Sequence, residues 1–141
     1  MNLFGNKNQK KPKKFLIFLV EDNKIYARQL EFYIQSKFGE LVELNYSPVA
    51  EVAEVKIENG QIPDLIIMDY FLDEKYEDAE KGFDVLKRLK QKHPVIQFIL
   101  HSSQENNKLA LQIIKEGICN YIEKGEEGFE EIEQAIKELI K

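Results

Sequence analysis

The sequence contains a single cysteine, Cys119, which excludes a disulfide framework and a cysteine-based metal site. It also lacks any apolar segment that approaches the roughly 20 residues needed for a membrane-spanning helix. The first apolar run, residues 15–20, is too short for a signal peptide, and Glu21-Asp22 follows it in place of a small-residue cleavage site. We therefore expect a soluble, unexported protein of the cytoplasm, without membrane insertion.

Acidic residues are absent from the first 14 positions, which contain five lysines. The remaining residues carry 15 Lys/Arg against 25 Asp/Glu. An acidic body repels the phosphate backbone, so we expect no nucleic-acid binding by the folded part. A short polar segment buries too little apolar surface to fold, so we predict a basic, disordered tail over residues 1–14 and one domain over residues 15–141.

Short apolar runs alternate with amphipathic segments about five times along the chain. The predicted strands are residues 15–20, 41–46, 64–69, 95–101 and 118–123. The predicted helices are residues 23–38, a helix capped by Ser47-Pro48 that ends at Gly60, a helix through Phe83 and Leu89, residues 103–116, and residues 129–140. Residues 70–81 are predicted to form a charged loop. The alternation predicts an α/β protein with a parallel sheet, right-handed crossovers and helices on both faces.

Polar residues fall at the carboxyl ends of four predicted strands, where ligands bind in an open α/β sheet. They are Glu21-Asp22, Asp69, Ser102-Ser103 and Lys124. Three carboxylates brought together repel one another unless a divalent cation neutralises them. Oxygen ligands without His or Cys favour Mg²⁺, for which Mn²⁺ could substitute. Taken alone, Glu21-Asp22 is better explained by Asp22 capping a helix that begins near Asn23 than by metal binding.

Asp69 ends a strongly apolar strand, where a carboxylate is costly unless it is paired or used. A carboxylate can attack phosphorus to give an acyl phosphate, with a metal ion bridging the attacking and donor oxygens. We therefore predict that Asp69 is a metal-assisted phosphoryl acceptor. Ser102 can donate a hydrogen bond to a phosphoryl oxygen, Lys124 can add positive charge, and Ser103 is small enough to leave room.

His101 and Tyr121 lie next to these strand ends. His101 is one position before Ser102, so it should point to the other face and be a partly buried structural residue. Tyr121 is three positions before Lys124 and should face the opposite side of its strand. An aromatic ring there can pack inward or swing outward, and both orientations stay open.

Together these residues resemble the receiver domain of two-component response regulators, over about residues 15–141. The corresponding residues are Glu21-Asp22 for the acidic Mg²⁺-binding pair, Asp69 for the phosphorylated aspartate, Ser102 for the switch hydroxyl, Tyr121 for the switching aromatic and Lys124 for the invariant lysine. The resemblance implies a flavodoxin-like (βα)5 fold, with a doubly wound, five-stranded parallel sheet in the order 2-1-3-4-5. It also implies that the backbone carbonyl of Phe71 contributes to the metal site.

A signalling protein rather than an enzyme is implied, with self-catalysed phosphorylation and slow dephosphorylation at most. A histidine kinase or histidine phosphotransfer protein would donate the phosphoryl group to Asp69. Phosphorylation would draw Ser102 inward, let Tyr121 turn, and remodel the surface formed by helix four, strand five and helix five. We expect a stand-alone receiver, without an output domain after the fifth helix, that binds a downstream protein; homodimerisation through the same surface is a further option.

Two features depart from the family pattern. Gly125 follows Lys124 where the family usually has a proline. Gly82 lies 13 residues beyond Asp69, which predicts an insertion within residues 70–81, and a solvated flap is favoured there over a partner-specific contact. Hydrolysis of an acyl phosphate needs a positioned water molecule, and Phe71 has no polar side chain to hold one. Gln104 could do so, but we predict a slowly decaying phosphoryl group.

Other classes of protein fit these residues less well. A pseudo-receiver, acting as an adaptor without phosphorylation, has no need of the intact set of acids, hydroxyl and lysine. A haloacid-dehalogenase-like phosphatase needs Asp-x-Asp, but residue 71 is Phe. A nucleotide-binding or flavin protein needs a phosphate-binding loop after the first strand, and Glu21-Asp22-Asn23 contains no glycine.

Overall fold

The structure, a computed structural model, describes residues 13–69, 78–103, 107–117 and 119–141. Strands and helices alternate throughout these residues. The strands are β1 (Phe15–Val20), β2 (Val42–Ser47), β3 (Leu65–Met68), β4 (Gln97–Ser102) and β5 (Asn120–Glu123). The helices are α1 (Lys24–Phe38), α2 (Ala50–Glu58), α3 (Asp78–Lys92), α4 (Asn107–Glu116) and α5 (Gly128–Ile140), with a 3₁₀ turn at Gly39–Leu41 after α1.

The five strands form one parallel sheet in the order β2-β1-β3-β4-β5. This confirms the predicted fold class and strand order. The strand order reverses between β1 and β3, the place where open α/β sheets bind ligands. Val20 at the end of β1 pairs with Met68 at the end of β3, so the residues that follow these two strands begin side by side.

The sheet separates two apolar layers, as β1 illustrates. Ile17 and Leu19 pack with α1 and α5, whereas Phe18 and Val20 pack with α2, α3 and α4. Successive strand residues point to opposite faces, so a strand covered on both sides must be apolar throughout. All four side chains are at most 3% exposed. The buried core therefore extends up to the ends of β1 and β3.

Helix α2 begins later than the Ser47-Pro48 motif predicted. Ser47 completes β2 opposite Val20, and Val49 occupies the N-cap position before Ala50. The Ser47 side chain is fully buried, and its hydroxyl accepts a hydrogen bond from Lys56 Nζ at 3.0 Å. Pairing with β1 outweighs the local preference of serine for a helix cap.

Three other boundaries differ from the predictions. Residues 78–81, predicted as loop, belong to α3, while residues 70–77 lie outside the described part of the chain. Helix α4 spans Asn107–Glu116, whereas its predicted start was Ser103. Residues 104–106, which lie between these two positions, are also outside the described part of the chain. Strand β5 begins at Asn120. No helix in the described residues is both long and apolar enough to cross a lipid bilayer.

Candidate functional site

Three carboxylates meet at the carboxyl ends of β1 and β3. Glu21, Asp22 and Asp69 each place an oxygen within 4.8 Å of the others. Backbone pairing extends one residue beyond each strand, because the Glu21 N–H donates to Ser47 O at 3.1 Å and the Asp69 N–H donates to Val20 O at 2.8 Å. The backbone of the sheet therefore positions all three acids at one edge.

The three acids differ in their surroundings. Glu21 is only 2% exposed, and the Asp69 side chain is 7% exposed, whereas Asp22 is open to solvent. Burial raises the pKa of Glu21, and the neighbouring Asp69 raises it further against the opposing effect of Lys124. Burial also raises the pKa of Asp22, to which the adjacent Glu21 adds. Three negative charges in this cluster are therefore unfavourable unless a cation neutralises part of them.

Lys124 supplies one positive charge to this cluster. Its Nζ atom lies 2.6 Å from Glu21 Oε1 and 3.1 Å from Asp69 Oδ2. Burial alone would lower the pKa of Lys124, but the hydrogen bond to Glu21 and the charge of Asp69 raise it. One ammonium group against three carboxylates leaves a negative site that suits a further cation.

The ligand chemistry of this cluster fits a hard divalent cation. Only carboxylate oxygens are offered by Glu21, Asp22 and Asp69, and the exposure of Asp22 leaves room for water or phosphate oxygens. Mg²⁺ takes oxygen ligands and keeps several waters, so some of these carboxylates can bind it directly and the rest through water. The predicted ligand Phe71 lies outside the described residues.

The end of β4 adjoins the cluster through its backbone. Ser102 is the last residue of β4, is 2% exposed, and its carbonyl accepts the Lys124 N–H at 2.7 Å. The Tyr121 hydroxyl lies 3.2 Å from the carbonyl oxygens of both Ser102 and Ser103. Of the two orientations left open, the structure has the Tyr121 ring partly buried and directed at the end of β4. Tyr121 thus contacts the backbone next to the site rather than the carboxylates.

His101 is confirmed as a structural residue on the other face of β4, and it is more deeply buried than expected. Its ring is 1% exposed; Nδ1 lies 2.9 Å from the Ile122 carbonyl oxygen, and Nε2 contacts the Tyr26 hydroxyl. Burial lowers the pKa of His101 to about 4. His101 is therefore neutral near pH 7 and carries no charge to the site.

Tyr26 is a site residue that the sequence analysis missed. Its ring centroid lies 4.3 Å from Lys124 Nζ. The available signal was its position in the first turn of α1, directly after the acids at the end of β1. Gln104, the other predicted influence on dephosphorylation, lies outside the described residues, so its role stays a prediction.

Comparison with known proteins bears on the family and the fold of the chain. The family model described as the response regulator receiver domain matches residues 17–137. Similar solved structures include a response regulator receiver domain protein from Clostridium thermocellum, at 21% identity, TM-score 0.69 and coverage of 89% of this chain and 93% of that one. The signal receiver domain of an HD domain-containing protein from Pseudomonas fluorescens has 22% identity, TM-score 0.70 and coverage of 91% and 95%.

A third solved structure, an orphan response regulator of H. pylori, has 17% identity, TM-score 0.71 and coverage of 92% of this chain and 100% of that one. These likenesses concern the fold. No curated protein sequence matches this chain significantly. Because the family model spans most of the sequence and the fold agrees with it, the chain belongs to the response regulator receiver domain family.

Proposed function

We propose that this receiver domain accepts a phosphoryl group on Asp69 in a Mg²⁺-dependent reaction and signals through a protein-binding surface that responds to it. The observation that carries the proposal is the convergence on Asp69 of two further carboxylates and the Lys124 ammonium group, whose Nζ lies 3.1 Å from Asp69 Oδ2. The phosphoryl donor would be a histidine kinase or a histidine phosphotransfer protein.

In the proposed reaction, a carboxylate oxygen of Asp69 attacks the phosphorus of a phosphohistidine. The P–O bond forms as the P–N bond breaks, and the imidazole nitrogen keeps the electron pair. A bound Mg²⁺, held by Glu21, Asp22, Asp69 and the Phe71 carbonyl, would neutralise charge on the transferred group. Lys124 would stabilise the same charge from the protein side, and the short distance from its Nζ to Asp69 Oδ2 supports this role.

Signalling requires that the new charge alters a surface. We propose that Ser102 approaches the phosphoryl group and that Tyr121 turns as its contacts with the Ser102 and Ser103 carbonyls change. The surface that would respond is formed by α4, β5 and α5. Leu111 and Ile114 on α4 are 67% and 58% exposed, which supports this surface as a site for a downstream protein or a second copy of the chain.

The proposal is tested by incubating the protein with Mg²⁺ and acetyl phosphate and measuring its intact mass. We expect a gain of one phosphoryl group in the wild type and in Asp84→Asn, since Asp84 is an exposed acid on α3. Neither Asp69→Asn nor wild type treated with a chelator should gain mass. A wild type that gains no mass would instead support the alternative function, an adaptor that acts without phosphorylation.

A further inference from the structure

The ammonium group of Lys124 lies against an aromatic ring as well as between two carboxylates. The Tyr26 ring centroid is 4.3 Å from Lys124 Nζ, closer than the 5.4 Å between Lys37 Nζ and the Tyr33 ring. A cation over the face of an aromatic ring is attracted by its quadrupole, most strongly where water is partly excluded. The Lys124 side chain is 20% exposed, which meets that condition.

The Tyr26 ring is fixed through its hydroxyl. The carbonyl of Ile122 can only accept, so His101 Nδ1, 2.9 Å away, must carry the proton. His101 Nε2 is then an acceptor, and the Tyr26 hydroxyl donates to it. The Tyr26 N–H also donates to Asn23 Oδ1 at 3.1 Å, which ties the residue to the start of α1 beside the acids.

Packing limits movement of the same group of rings. Phe129 meets Tyr26 edge-on, with the centroids 5.6 Å apart. Gly128 allows α5 to approach His101, since a Cβ atom there would lie 3.2 Å from His101 Cε1 and 2.8 Å from the Glu123 carbonyl oxygen. The Tyr26 ring is thus held by a hydrogen bond at one end and by aromatic packing along its edge.

Glu21 and Asp69 hold Lys124, but they are also the carboxylates that a divalent cation would bind. A cation bound there would compete with the ammonium group for the same two carboxylates. Among the described residues, Glu21 and Asp69 contact Lys124 Nζ and could also bind a metal ion. The Tyr26 ring contacts the same atom but is not a metal ligand. A lysine has a flexible four-carbon stem, so without such a contact its ammonium group could leave the site when the metal binds.

We propose that Tyr26 is a positioning residue that keeps the Lys124 ammonium group at Asp69 when a divalent cation is bound. The expected effect of Tyr26 on phosphorylation rests on the proposed function. The expected effect of Tyr26 on the position of Lys124 is independent of it, because the ammonium group can be observed without a phosphoryl donor.

The test compares Tyr26→Phe, which keeps the ring, with Tyr26→Leu, which removes it. Tyr33→Leu is the matched control, because Tyr33 belongs to the same aromatic cluster but its ring is next to Lys37 rather than Lys124. One readout is the NMR signal of the Lys124 ammonium group in the presence of Mg²⁺, which is visible only while the group is held and its protons exchange slowly. The other is the rate of phosphorylation by acetyl phosphate.

We expect the signal to persist in Tyr26→Phe and Tyr33→Leu and to disappear in Tyr26→Leu. Phosphorylation should be about five- to tenfold slower in Tyr26→Leu and within about twofold of wild type in the other two. Folded Tyr26→Leu with the signal and the rate of wild type would overturn the proposal. If wild type accepts no phosphoryl group, the proposed function fails, and the NMR signal alone decides the role of Tyr26.

A second substitution covers the case in which Tyr26→Leu does not fold. A ring-fluorinated phenylalanine at position 26 keeps the shape of Phe but removes the negative charge of the ring face. We expect it to lose the Lys124 signal that Tyr26→Phe retains. Equal signals in these two proteins would show that the ring does not hold the ammonium group and would overturn the proposal.

Discussion

The Nζ atom of Lys124 lies 3.1 Å from Oδ2 of Asp69, although the two residues follow strands that are separated by β4. The lysine side chain therefore extends over the end of β4. The Lys124 backbone N–H donates to Ser102 O, so the end of β4 also fixes the backbone of the lysine. The pairing of phosphoryl acceptor and lysine is thus built on the register of three neighbouring strands.

Removing the Lys124 charge should destabilise the folded protein. Lys124→Gln leaves Glu21 and Asp69 as buried carboxylates without a cation, and we expect the free energy of unfolding to fall by about 1–3 kcal/mol. Lys14→Gln is the control, because the Lys14–Glu40 pair has side chains 47% and 95% exposed. It should change the free energy by less than about 0.5 kcal/mol. Urea unfolding without divalent ions measures both, and equal effects would contradict this account of the site.

The affinity for Mg²⁺ should depend on Asp22. Asp22→Asn removes one of the clustered carboxylates and should weaken Mg²⁺ binding at least about tenfold, as titration calorimetry would show. Glu43→Gln makes the same change of charge at an exposed position of β2 and should leave binding nearly unchanged. Similar losses in both variants would mean that Mg²⁺ responds to overall charge rather than to a defined site.

Stability should decrease in acid because of His101. Burial lowers its pKa to about 4 from an ordinary 6.5, so between these values the unfolded chain binds a proton at this residue and the folded protein does not. The free energy of unfolding should therefore fall as the pH is lowered through this range, by about 3 kcal/mol in total from this residue.

Urea unfolding across the same pH range tests this expectation. Of the two histidines, His93 lies at the end of α3 and is the matched control. His93→Gln should retain the loss of stability in acid, and His101→Gln should lose most of it. If both variants keep the wild-type pH dependence, the carboxylates rather than His101 cause it.

The Tyr121 hydroxyl should contribute to stability more than to phosphorylation. Tyr121→Phe removes its contacts with the carbonyls of Ser102 and Ser103, and we expect a loss of about 1 kcal/mol in the free energy of unfolding. The rate of phosphorylation by acetyl phosphate should remain within about twofold of wild type, because the hydroxyl does not contact the carboxylates. A larger loss of rate would place Tyr121 in the reaction itself.

The sequence predicted the parts of the structure that depend on local pattern. Apolar runs identified β1 and β3 as strands, and the acids at their ends could be placed together because parallel strands end at one edge. The start of α2 was wrong because the partner of Ser47, the neighbouring strand, is distant in the sequence. The contact of Tyr26 with His101 and Lys124 was not found because it joins α1, β4 and the end of β5.

The central claim is that Asp69 carries the phosphoryl group, and the most direct measurement locates that group. After reaction with acetyl phosphate and Mg²⁺, borohydride reduces an aspartyl phosphate to homoserine, and peptide mass spectrometry identifies the residue that has changed. We expect homoserine at position 69, with none formed when Mg²⁺ is removed. Homoserine at another acid, or phosphorylated protein with an unmodified Asp69, would contradict it.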